Sequence, residues 1–256
     1  YLLVSARRAS IVLNIAQIPV VLLALYPPSI NLMLPVLVGA LGITGLLLAE
    51  TIKNLVKLKR IPPSQRSDTN SLPTITVAIP ARNETNALVE CLNSVVASDY
   101  PKLEIIVLDD CSQDNTAEII RSFAQSGVRF VLGEEPNNNW LAKNHAYEKL
   151  ADEALGEYIL FCGADVRFGV STISKIVSRL ASKDMISILP LNTGHDPVMG
   201  LVQPMHYWWE LALPRKLVNR PPALSSAWII KTRSLRKLGT FEAVSRAVRP
   251  EVYFAK

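Results

Sequence analysis

Three apolar runs of strand length each end in a cluster of polar residues, and this pattern constrains the fold more than any other feature of the chain. Ile75-Thr76-Val77-Ala78-Ile79 leads into Pro80-Ala81-Arg82-Asn83-Glu84. Glu104-Ile105-Ile106-Val107-Leu108 leads into Asp109-Asp110-Cys111-Ser112, and Tyr158-Ile159-Leu160-Phe161-Cys162 leads into Gly163-Ala164-Asp165. Near-continuous apolar runs are what strands need when both faces of their sheet are covered. Between them, apolar residues recur at helical spacing: Leu88, Leu92 and Val95-Val96 within 85–97, then Ile119, Ile120 and Phe123 within 117–125. Further strands over 128–132 and 185–189, and helices over 141–154 and 170–182, continue the alternation. Strands alternating with helices predict parallel crossovers and an α/β sheet. Ligands of such sheets bind beyond the carboxyl ends of the strands. The acids are therefore expected at one edge, where they suit a phosphorylated ligand and its metal.

Residues 1–60 are far more apolar than the rest. Residues 10–26 and 30–49 are nearly free of charge, and Pro27-Pro28-Ser29 breaks the chain between them. About 20 apolar residues cross a hydrocarbon core as a helix, so this region predicts a hairpin of two transmembrane helices. Arg7 and Arg8 precede it, and Lys53, Lys57, Lys59 and Arg60 follow it. The positive-inside rule then puts both flanks, and the polar remainder, in the cytoplasm of a multi-pass cell-membrane protein. Residues 61–72, with Pro, Ser, Gln, Asp and Asn, read as a linker to a domain over 73–256.

The formal charge of +5 is modest and sits largely beside the predicted membrane spans, so it gives no argument for a nucleic-acid partner. Cys91, Cys111 and Cys162 are isolated and lack metal-ligand spacing, which fits reduced residues of a cytosolic domain. The segment 197–220 mixes Trp208, Trp209 and Tyr207 with Arg215, Lys216 and Arg220. It reads either as a segment at the lipid headgroup level or as a core helix or acceptor-pocket wall packed on the sheet. The chain starts at Tyr1 rather than Met and stops shortly after Tyr253-Phe254, from which a longer protein is expected.

Taken in order, Pro80-Ala81-Arg82-Asn83-Glu84, Asp109-Asp110-Cys111-Ser112-Gln113-Asp114-Asn115-Thr116 and Ala164-Asp165 closely resemble the nucleotide-diphospho-sugar glycosyltransferases of family 2. The resemblance covers residues 72–255. Trp140-Leu141-Ala142-Lys143 looks like the Trp-x-Gly-Lys motif of members that act on carotenoids or are associated with hopanoid synthesis. Leu238-Gly239-Thr240-Phe241 is similar to the Gly-Gly-Phe segment that precedes the family's catalytic acid, here Glu251. The resemblance implies a GT-A fold, a Rossmann-like and mostly parallel sheet. It also implies inverting transfer of a sugar from a nucleotide-diphosphate donor, here to a lipid-linked or hydrophobic acceptor.

The chemistry of the residues agrees with that resemblance. Asp109 or Asp110 can accept from a base N–H, and the backbone of Pro80, Ala81 and Arg82 can hold the nucleotide, with Glu84 near it. Asp165, next to Ala164, is a hard oxygen ligand suited to Mg2+ or Mn2+ on the diphosphate. Lys143 adds positive charge there. Glu251 takes the role of general base. Structural roles compete with these: Asp109 and Asp110 also suit a strand terminus, with Asp114 or Asn115 capping the next helix.

Two features depart from the family. Gly163 stands where the first acid of Asp-x-Asp is usual, and no Gln-x-x-Arg-Trp follows Glu251. The first keeps open a non-catalytic membrane protein that uses the fold to bind nucleotide or partners. The second leaves a non-processive enzyme or a processive synthase whose motif lies further on.

Overall fold

The computed structural model describes residues 30–57, 72–180, 183–188 and 223–255. Helix α1 (Ile30–Lys57) and the α/β body are separate compact units. Within α1, Leu34–Lys53 is 20 residues long with mean hydropathy 1.8, and only 6% of it is buried. Leu37, Leu41, Ile43 and Leu46 are all exposed. The hydroxyls of Thr44 and Thr51 donate to the carbonyls of Ala40 and Leu47, at 2.8 and 2.7 Å, so these two polar side chains are satisfied within the helix. Among the described residues this is the one helix long and apolar enough to cross a membrane. It extends past the expected end at residue 49. The first arm of the expected hairpin, residues 10–26, lies outside the described residues, as do segment 197–220 and most of the linker.

The α/β body is built on a six-stranded sheet. In chain order the elements are β1 (Ile75–Ala81), α2 (Thr85–Val96), β2 (Leu103–Asp109), α3 (Thr116–Ser122), β3 (Val128–Leu132), α4 (Ala142–Glu153) and β4 (Tyr158–Cys162). There follow α5 (Thr172–Leu180), β5 (Met185–Ile188), β6 (Ala227–Lys231), α6 (Thr232–Lys237) and α7 (Pro250–Phe254). The strand order is β3-β2-β1-β4-β6-β5. Strands β1 to β4 are mutually parallel, with Ala81 opposite Asp109 and Ala78 opposite Phe161. The alternation of strands and helices thus gives the expected crossovers over this half.

The other half corrects the sequence reading. Strand β6 was not expected, and it lies between β4 and β5, antiparallel to both. Its run Ala227-Trp228-Ile229-Ile230 is fully buried, which requires a place inside a sheet rather than at its rim.

Side chains alternate across the strands, as a two-residue period requires. Ile75, Val77, Ile79, Leu160 and Cys162 face a core shared with α2 and α5. Ala78, Ile106, Leu108, Ile159, Phe161 and Trp228 face a second core with α4, α6 and α7. That second core is aromatic. Phe161 stacks at a tilt on Trp228 with centroids 4.6 Å apart, and Phe241 meets Phe161 and Phe254 edge-on at 5.3 and 5.2 Å. Phe254 belongs to α7, so these contacts seat the short helix that carries Glu251. Truncation of a buried aromatic costs about 3–5 kcal/mol. Phe241→Ala is expected to lose stability of that order, read as a lower chemical-denaturation midpoint of the full chain in detergent.

Candidate active site

Because β1, β2 and β4 run the same way, their polar termini share one edge. The loops after β1 and β2 are laced together by side chains bonding to backbone. The Asn83 N–H donates to Ser112 Oγ (3.0 Å), the Gln113 N–H donates to Asn83 Oδ1 (2.9 Å), and the Glu84 N–H donates to Thr116 Oγ1 (3.0 Å). Asn83 and Cys111 hold left-handed backbone, at φ 56° and 57°. Non-glycine residues adopt this conformation rarely and at a cost, which the surrounding hydrogen bonds must offset.

Asp109 and Asp110 are both buried. Asp109 Oδ1 accepts from the Ser112 N–H at 3.2 Å, and the Asp110 N–H donates to the Ala81 carbonyl at 2.8 Å. The loop after β3 crosses directly over this strand end. The Gly133 N–H donates to the Asp109 carbonyl at 2.8 Å, and a Cβ at Gly133 would stand 2.5 Å from that oxygen. Only glycine permits so close an approach of two backbones. Arg82 reaches Asp110 Oδ2 at 3.9 Å and Glu135 Oε1 at 3.2 Å. Burial raises the pKa of the Asp110 carboxyl from its ordinary value, against the pull of Arg82.

Pro80 is half-buried, Ala81 and Ala164 are buried, and Glu84 precedes α2 as its N-cap without a side-chain cap bond. The expected cap of α3 is met by Asp114, whose Oδ1 accepts from the Thr116 N–H at 3.0 Å; Asn115 makes no side-chain cap bond.

On the other flank of β1, the turn after β4 closes with the Val166 N–H donating to the Gly163 carbonyl at 3.1 Å. Asp165 is exposed, and its carboxylate folds back over Gly163: a Cβ at that glycine would lie 2.5 Å from Asp165 Oδ1. The space where the family's first acid would begin is thus taken by the carboxylate of the second.

Glu251, at the start of α7, is fully buried. The Arg249 Nε–H donates to its Oε1 at 3.2 Å, while Oε2 has no hydrogen-bond partner among the described residues. A buried carboxylate oxygen left without a donor is costly, so the site is poised for one. Lys143 sits in the first turn of α4, its ammonium 5.3 Å from the Tyr147 ring centroid. Much of Lys143 is accessible to solvent, yet crowding at its ammonium lowers its pKa. The charges of Glu251 and Asp165 oppose that fall, and Arg249 adds to it. Lys143, Asp165 and Glu251, distant in sequence, are therefore electrostatic neighbours.

Sequence reasoning missed Arg249, Asn144 and Glu148. Arg249 adjoins Glu251 in the motif-like Arg249-Pro250-Glu251, which is a local signal. Asn144 and Glu148 act across the fold and give none. Among the described residues no three His, Cys, Asp or Glu side chains gather as a closed metal cage.

An α/β sheet with this edge is the architecture of GT-A transferases. The mannosyltransferase PcManGT from Pyrobaculum calidifontis, solved with GDP-Man and Mn2+, matches with a TM-score of 0.55 at 22% identity, over 78% of this chain and 56% of that one. S. aureus TarS matches with a TM-score of 0.51 at 20% identity, over 71% and 32%. These likenesses show the fold. The model of glycosyl transferase family 2 matches residues 76–239, and the chain belongs to that family.

Among curated proteins, glycosyltransferase AglE of Haloferax volcanii is 34% identical over 117 residues, which is 41% of this chain and 37% of that protein. The 4,4'-diaponeurosporenoate glycosyltransferase of Staphylococcus aureus is 31% identical over 120 residues, 45% of this chain and 31% of that protein. The matched part of this chain spans about a third of the length of these relatives.

The raised pKa of Asp110 makes a signed prediction. Between its unfolded and folded values the native state binds more protons, so the stability contribution falls as pH rises, and the penalty is complete above the folded value. Asp110→Asn is expected to melt higher than the parent chain at pH 7. Its advantage should shrink as pH falls through the carboxylate range, in thermal melts of the two proteins.

Proposed function

We propose that this chain carries the donor site and catalytic base of a membrane-anchored, inverting glycosyltransferase that moves a sugar from a nucleotide-diphosphate donor to a lipid-linked or hydrophobic acceptor. The observation that carries the reading is Glu251: buried, held by Arg249 through Oε1, and lacking a donor at Oε2 among the described residues. The hydrogen bond it lacks is the one an acceptor hydroxyl donates. Residues 73–256 form the transferase unit in this reading, residues 61–72 the linker, and α1 an anchor, with the transferase unit on the cytoplasmic side.

The donor would lie along the shared strand edge. Pro80, Ala81 and Arg82 provide its backbone cradle, Asp109 and Asp110 accept from the base and ribose, and Glu84 borders it. Lys143 and the turn at Ala164 face the diphosphate. A single exposed carboxylate suits an ion that draws its other ligands from phosphates and water, as Mg2+ does. Asp165 would hold Mg2+ or Mn2+ in that way. Such an ion supplies neutralisation of the leaving diphosphate.

For transfer, Glu251 Oε2 accepts the hydroxyl proton of the acceptor as its oxygen bonds to the anomeric carbon. The bond from that carbon to the diphosphate oxygen breaks on the opposite face, and the nucleotide diphosphate leaves with both electrons. A single displacement inverts the anomeric centre, so no second carboxylate nucleophile is needed.

Membranes containing the chain, incubated with radiolabelled UDP- and GDP-hexoses, are expected to transfer label to extractable lipid. General-base assistance is worth about 10²–10⁴-fold, and Glu251→Gln should lose that much of the maximal rate. Equal rates in the two would remove Glu251 from the chemistry. In parallel, Mn2+ together with UDP or GDP should raise the melting temperature of the parent chain, and Asp165→Asn should lose the part of the rise that depends on Mn2+.

A further inference from the structure

Helix α4 holds the segment that leads to Glu251 by two side chains one turn apart. Asn144 is 1% exposed, and its Nδ2 lies 3.0 Å from the Val244 carbonyl, 3.0 Å from that of Ser245 and 2.8 Å from that of Ala247. An amide nitrogen has two hydrogens, so two N–H bonds are shared among three acceptors. Only the NH2 end of the side chain can satisfy three carbonyls, which fixes its orientation. Beside it, the Leu141 N–H donates to the Ser245 carbonyl at 2.9 Å.

One turn further on, Glu148 grips the beginning of the same segment. Its Oε1 accepts from Thr240 Oγ1 and its Oε2 from the Phe241 N–H, both at 2.7 Å. The turn it grips is bent through left-handed backbone at Gly239 (φ 88°) and Thr240 (φ 52°). Residues 144 and 148 lie on one face of the helix, as an i, i+4 pair must.

Lys143, next to Asn144, is the residue of α4 whose ammonium feels both Glu251 and Asp165. The first turn of α4 therefore presents a charge to the site and, through the adjacent residue, ties down the backbone that delivers the base. The tie runs to three carbonyls, those of Val244, Ser245 and Ala247. Among the described residues, no other hydrogen bond to the Ala247 carbonyl accompanies that of Asn144.

We infer that Asn144 is a positioning residue: it sets the place of the Glu251 carboxylate relative to the donor by clamping residues 244–247. This rests on the general-base reading of Glu251. Its amide is buried and engaged with three backbone carbonyls, so its effect passes through the base. Displacement of a reacting group by about 1 Å costs on the order of 10²-fold in rate. A loss confined to the chemical step is the signature.

The test compares the parent chain, Asn144→Asp, Glu251→Gln and the double variant, all full length in membranes, with transfer from radiolabelled UDP- and GDP-hexoses measured against donor concentration. Asp keeps the shape of Asn and removes its donors. Asn144→Asp is expected to lower the maximal rate by about 10²-fold while the half-saturating donor concentration stays unchanged. In the Glu251→Gln background the same change should add no further loss, since residues acting as one unit are non-additive.

A further loss of similar size in the Glu251→Gln background would overturn the inference, as would a raised half-saturating concentration with an unchanged maximal rate. If Asn144→Asp does not accumulate in membranes, Asn144→Gln carries the same comparison, because it moves the NH2 by one methylene while keeping it. An active parent chain, a crippled Glu251→Gln and unaffected Asn144 variants would sink this inference alone. A parent chain no faster than Glu251→Gln would instead sink the reading on which it rests.

Discussion

Strand β1 is hydrogen-bonded on both sides to strands that run in its own direction, β2 on one side and β4 on the other. Everything proposed for the site depends on that pairing. Had either neighbour been antiparallel, its polar terminus would lie at the opposite edge of the sheet. Parallel pairing requires long crossovers, and the chain supplies them as helices that bury the sheet. The strands can be apolar on both sides because of that cover, and their first polar residues then come where the cover ends.

The edge so made is held by short-range chemistry of a different kind. Asn83, Ser112 and Thr116 bond to backbone of the neighbouring loop, and Asp109 to backbone of its own. Such bonds fix the path of the main chain, which is what a nucleotide cradle built from backbone groups requires. Glu251, the base of the proposed reaction, arrives on a separate support. Phe254 and Phe241 anchor α7 in the aromatic core, and α4 grips the approach to it. The loops of the strand edge and the helix that carries Glu251 thus rest on different supports.

Much of this was legible in the sequence, and the limit lies where contacts stop being local. Strands β1 to β4 and helices α2 to α5 follow from apolar period, and once parallel pairing is inferred, Arg82, Asp109, Asp110 and Asp165 must share an edge. Glu251 was found by resemblance, and its burial and its Arg249 partner add the physical content. The antiparallel strand β6 escaped because its short apolar run has no period of its own and its partners lie far away in the chain. Asn144 escaped for the same reason: nothing near it in sequence announces three carbonyls from residues 244–247. The carboxylate of Asp165 lying over Gly163 is likewise a matter of rotamer and space, which spelling alone does not carry.

The position of β6 has a consequence for the order in which the protein is made. Strand β5 leaves the ribosome before β6, yet its sheet partner is β6 rather than β4. Until Ala227–Lys231 has been synthesised, the outer edge of β4 has no strand beside it and β5 has no strand to join. Exposed edges of this sort are templates for pairing with other chains. A nascent chain that already holds β1 to β4 therefore passes through an interval in which one edge of its sheet is open, and that interval closes only when β6 has been delivered.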